Sequence, residues 1–156
     1  MGILEIRQQY QKLQKMDNTL EKLIKQLHSK RLPDDVANEI IKLGKPVFDY
    51  LLAKIDDLRL TEYQVINLLR ILYEMKYHNI TQFVNKLLSI TQDKRIDVRS
   101  TASFLSICLF RIKKEFPELN IPLEREVLAQ SLHKSLAMQL QQTIGQQVES
   151  FLQDNT

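Results

Sequence analysis

The chain has little that bends or staples a backbone. Its 156 residues include 3 glycines, 4 prolines, a single cysteine (Cys108) and no tryptophan. One cysteine excludes an internal disulfide framework and any multi-cysteine zinc site. So few breakers argue against a strand-and-turn architecture and for long helices. Long apolar runs are missing too: the richest, Phe104 to Phe110, is short and lies between Arg99 and Arg111. No membrane span is therefore expected. The first residues carry no basic stretch followed by an apolar one, so a cytoplasmic location is the expectation. Gly2, Gly44 and Gly145 stand alone, so no glycine-rich loop exists to hold a phosphate.

Catalytic and metal-binding constellations are also missing from the pattern. His28, His78 and His133 are far apart, with no HExxH and no Glu three residues before any of them. Cys108 sits among Ile107, Leu109 and Phe110, where a buried structural thiol is expected rather than a nucleophile. Ser100, Ser103 and Ser106 have no histidine near them in sequence. Asp34-Asp35 and Asp56-Asp57 fall at helix ends, where capping outranks acid–base work. The expectation is a protein that is not an enzyme and needs neither cofactor nor metal.

What is present is helix. Hydrophobic residues make up 44% and charged residues 26%, in the range of an ordinary globular chain. Residues 3–15 place Ile3, Leu4, Ile6, Tyr10 and Leu13 at helical spacing, and Asp17 or Asn18 can cap a second helix carrying Leu20, Leu23, Ile24 and Leu27. Pro33 with Asp34 and Asp35 opens a third, which Gly44 stops. Pro46 opens the next. Thr61 and Gln64 form a capping box before 62–76, Asn79 caps 80–92, and a turn at 93–97 leads into 98–115, stopped by Pro117. Pro122 precedes a last helix over 123–144. Seven or eight helices in one domain spanning 1–156 are predicted, in an all-α antiparallel stack.

An internal repeat organises them. A shift of 36 residues carries Val47 and Phe48 onto Phe83 and Val84, Leu51 and Leu52 onto Leu87 and Leu88, and Asp57 onto Asp93. The register continues from Ile66, Leu69, Ile71 and Leu72 to Ala102, Leu105, Ile107 and Cys108. Two helices per repeat make a hairpin whose apolar face only a neighbour can cover, so the hairpins should stack. The segment Asp93 to Ala102, with its turn Asp, Val98-Arg99 and a following small residue, resembles the turn and second helix of a HEAT repeat. Leu43-Gly44, Pro46 and Leu51-Leu52 resemble the short-repeat variant of the same family. The resemblance covers 33–115, and Glu62-Tyr63 departs from it where Val-Arg would stand. It implies a short right-handed superhelical stack of hairpins, a scaffold or adaptor role on the face of the second helices, and structural roles for Asp93 and Arg99. Some relatives handle bilin pigments or DNA.

Two further features bear on partners. On helix 62–76, the residues Tyr63, Asn67, Arg70, Glu74 and Tyr77 recur at spacings of 4, 3, 4 and 3, forming one stripe. The 36-residue shift maps them onto Arg99, Ser103, Ser106, Phe110 and Lys113. Together they are the predicted surface for a protein partner. Seven cations against three acids give residues 1–31 a net +4, within a chain whose net charge is +3. Nucleic-acid contact through these basic N-terminal helices is therefore the second reading, and pigment or ligand handling the third. In the C-terminal segment, 122–156, Leu128, Leu132, Leu136, Leu140, Ile144, Val148 and Leu152 recur every four residues. Such a stripe drifts about 40° per step round a straight helix. Either the helix breaks, with Gly145 the expected place, or it wraps a partner, which makes it a candidate for self-association.

Overall fold

A computed structural model describes residues 2–154, apart from the side chain of Leu13. Among these residues there are eight α-helices, two single-turn 3-10 segments and no strand. The helices are α1 (Ile3–Lys25), α2 (Asp34–Lys42), α3 (Lys45–Lys54), α4 (Glu62–Glu74), α5 (Ile80–Ile90), α6 (Ile96–Glu115), α7 (Arg125–Met138) and α8 (Gln142–Gln153). No helix is long and apolar enough to cross a membrane.

Local chemistry sets most of the boundaries. The Thr61 hydroxyl accepts from the Gln64 backbone, and the Gln64 side chain accepts from the Thr61 backbone, which closes the capping box. Asn79 accepts from the Gln82 backbone to cap α5. Asp34 and Asp35 occupy the first turn of α2, at the positive end of its dipole. Gly44 joins α2 to α3 at a φ of 74°, a conformation a side chain would strain.

Two boundaries differ from expectation. Residues 3–25 form one helix, not two: Met16, Asp17 and Asn18 continue it without a break. Nothing in that stretch removes a backbone donor or demands a turn, and the Thr19 hydroxyl donates to the Lys15 carbonyl inside the helix. The C-terminal segment breaks at Gln139, where φ is 84°, and not at Gly145, which lies inside α8. The break resets the drifting stripe, so that Leu128, Leu132, Leu140 and Val148 are all buried.

The hairpins α3–α4, α5–α6 and α7–α8 pack in chain order. Helix α4 contacts α2 and α6, and α6 contacts α8, so the second helices lie neighbour to neighbour. Phe48 and Val84, one repeat apart, are buried in one continuous apolar core. The repeat also reaches its turns. Asp57 accepts from the Arg59 backbone (3.0 Å) and guanidinium, and Asp93 does the same with Arg95 (2.9 Å), 36 residues on.

Helix α1 joins this stack only by its C-terminal half. Leu20, Leu23 and Ile24 are buried, whereas Ile3, Leu4, Ile6 and Tyr10 are exposed. The α4 side chains anchor that end. Gln64 donates to the Ile24 carbonyl (3.3 Å), and Asn67 donates to the carbonyls of Leu27 and Ser29 (both 2.8 Å). Tyr50 donates to Glu21, and Lys54 pairs with it at 2.9 Å. The hydrogen bond from Tyr50 and then that from Lys54 hold the Glu21 carboxyl below its usual range, and burial with the bond to Glu21 pushes Tyr50 up to about 12.

Two outcomes follow. Asn67→Ala orphans two carbonyls and is expected to lower unfolding free energy by about 2–3 kcal/mol in urea titrations, whereas exposed Asn85→Ala leaves it unchanged. Glu21 has a depressed pKa, so its contribution is complete above the ordinary value of 4.5 and fades as pH falls below it. The gap in denaturation midpoint between wild type and Glu21→Gln should therefore be widest near neutral pH and narrow progressively as pH falls below 4.5.

Candidate functional site

The two predicted stripes do not form one open surface. Asn67 is fully buried under the α1–α2 connection. Ser103, Ser106 and Phe110 are buried as well, because α8 covers this face of α6. Phe110 meets the Phe151 ring edge-on at 5.5 Å, and Arg125 lies over the other ring at 5.2 Å. These four residues cannot meet a partner directly. Val148 and Phe151 of α8 are buried in the chain's own core, whereas Val127 and Met138 of α7 are exposed. The serines suit that packing, since small side chains let a neighbouring helix approach. Ser106 donates to the Ser103 carbonyl, and the Ser103 hydroxyl has no partner among the described residues.

Other predicted residues are tied into turns and helix ends. Arg99 is buried and donates to the carbonyls of Met138 and Gln139 (both 2.7 Å), holding the break between α7 and α8. It also donates to the Lys94 carbonyl. Asp93 is half-buried; burial favours its neutral form, but the bonds from Arg95 outweigh this and hold the carboxyl low. Lys113 donates to the Leu123 carbonyl at 2.9 Å. Tyr77 is exposed, and its ring lies 4.7 Å from the buried Lys76 ammonium, which also sits over Tyr73. Glu74 is exposed on α4.

Tyr63 and Arg70 are brought together. They line a cleft of about 310 Å³ with Phe104 of α6 and Ile144 of α8, floored by Ile66 and Leu105. Lys30, from the α1–α2 connection, stands at its rim, and Asp97 and Gln141 close the opposite end with a 2.6 Å hydrogen bond. Tyr63 and Phe104 are 37% and 38% exposed, so both rings are accessible from the cleft. Arg70 is held at one nitrogen, Nη1, which donates to the Asn67 Oδ1 (3.0 Å) and the Lys30 carbonyl (3.2 Å). It forms no ion pair among the described residues, and burial lowers its pKa. A broader depression of about 670 Å³ lies between α3 and α5, but it has no aromatic wall, and its Lys86 is already paired with Asp56 at 2.6 Å.

Phe104, Lys30 and Ile144 were outside the predicted surface. The true α6 stripe, Asp97, Thr101 and Phe104, stands one residue round from Ser103, a rotation of about 100°. Helix α6 carries polar residues on its buried side (Arg99, Ser100, Ser103, Ser106) as well as on the side of Phe104 (Asp97, Thr101, Arg111), so polarity alone does not single out the side that stays open. Among the described residues, no group of three or more His, Cys, Asp or Glu could hold a metal ion. Burial raises the pKa of the Cys108 thiol, which keeps it in its unreactive protonated form.

Compared with protein-family models, curated proteins and solved structures, the chain matches none.

The burial of the second stripe has a measurable consequence. Phe110→Ala should cost about 3 kcal/mol of stability through the cavity left beside Phe151. Ser103→Ala removes an unpaired buried hydroxyl and should be neutral or slightly stabilising. Thermal melts of the two variants separate this from a surface role, which would leave both melts unchanged.

Proposed function

We propose that this chain is a non-enzymatic, HEAT-like interaction module that binds a protein partner on the face of its second helices, at the cleft between α4 and α6. One observation carries the reading: a half-buried guanidinium with no carboxylate partner among the described residues lines the same cleft as two part-exposed aromatic rings. Tyrosine and arginine are the residue types that dominate binding energy at protein interfaces, especially where water is partly excluded. The stacked order of α4, α6 and α8 supports the adaptor reading, because such stacks present one continuous face. The lone free thiol suits a reducing compartment, and we place the module in the cytoplasm.

Affinity capture from native extract tests this. Arg70→Glu and Phe104→Ala should each deplete the captured partner by about tenfold, the loss of one well-placed anchor. Asn85→Ala on α5 should retain it, with thermal melts confirming that all three variants fold. Equal recovery by all of them would overturn the cleft as the binding face.

A further inference from the structure

Resting on that reading, we propose that the cleft recognises a segment of a partner protein carrying an Asp or Glu side chain next to a large apolar residue, with Arg70 taking the carboxylate. The argument begins with how Arg70 is held. Its Nη1 is pinned between the Asn67 Oδ1 and the Lys30 carbonyl, while Nε and Nη2 have no hydrogen-bond partner among the described residues. A guanidinium fixed at one nitrogen, with its remaining edge unengaged, is ordered in advance for the two parallel bonds that a carboxylate accepts. The asparagine that orders it is itself immobile, because both of its carbonyl partners lie at the end of the α1 segment.

Charge and size narrow the ligand further. Lys30 and Arg70 oppose a single lining carboxylate, Asp97, which already accepts from Gln141 at the far end. The Arg70 end of the cleft is therefore cationic and the Asp97 end is not, so an anion has one place to sit. Between the ends, Phe104, Tyr63 and Ile144 form an apolar slot. The cleft, about 310 Å³, has room for one large apolar side chain beside the guanidinium. The ligand that fits is thus a carboxylate beside an apolar side chain.

The probe is an array of N-acetylated, C-amidated decapeptides. It pairs Asp, Glu, Asn, Gln or Lys with Leu, Ile, Phe or Ala at spacings of one to four residues. Acidic–apolar peptides should bind about tenfold better than their amide counterparts, as expected of a charge-assisted bidentate contact. The preference should collapse in Arg70→Gln and fall only partly in Arg70→Lys, which keeps the charge and loses the fork. Phe104→Ala, at a part-exposed position, should weaken every peptide while preserving the preference for acid. Equal binding of acids and amides would overturn the proposal. So would an acid preference that survives Arg70→Gln. If the array fails while partner capture still depends on Arg70 and Phe104, the acidic segment is wrong and the module stands. If capture fails as well, both fall.

Discussion

Helix α6 buries ten of its 20 residues against four other helices, and most of the architecture answers that requirement. Its 20 residues contact α4, α5, α7 and α8. Val98, Ala102, Leu105, Ile107 and Leu109 are each at most 9% exposed. Each such side chain contributes about 1.5–3 kcal/mol when removed from water, so a helix with this composition has no stable existence without its neighbours. The demand is heaviest on the side of Ser100, Ser103 and Ser106, where small residues admit a close neighbour and α8 fills the place. The turn between α7 and α8 must bend to deliver α8 there, and Arg99 holds that turn by its carbonyls.

The same device recurs between hairpins. Side chains on one hairpin bond backbone carbonyls of a neighbouring element. Gln64, Asn67 and Arg70 do this for the end of α1, Gln92 does it for Ser131, and Ser135 returns a bond to the Thr91 carbonyl. Buried carbonyls left unpaired are expensive, so these bonds set the spacing of the stack as well as joining it. The cleft is what remains between two such clamps. One is the α1–α2 connection, which places Lys30 and pins Arg70. The other is the α7–α8 turn, which places Gln141 and Ile144. The open face of the second helices is therefore bounded by the connections at its two ends, and its cationic side is the one where Asn67 orders a guanidinium.

Much of this was legible in the chain. Thr61 with Gln64, Asn79, Pro33 and Gly44 each act on backbone groups within four residues of themselves, and short-range chemistry can be read from order alone. The 36-residue register found the hairpins because each one repeats the same burial pattern. The same shift relates Arg59 to Arg95, a correspondence that anticipates the paired turns at Asp57 and Asp93. The continuity of α1 through Asp17 was less legible, because a residue that can cap a helix can also sit inside one when nothing breaks the ladder.

The binding face shows where such reading stops. Residue order determined that this chain is helical, that its helices pair, and that Tyr63 and Arg70 share a side of α4. These follow from local hydrogen bonding and from the spacing of apolar residues. Order could not say which side of α6 stays open, because polar residues stand on both its buried and its open sides, and only the arrival of neighbours separates Ser103 from Phe104. That choice was made by tertiary contact, when α8 covered Phe110 and left Phe104 at the cleft, and when the end of α1 buried Asn67 beneath Arg70.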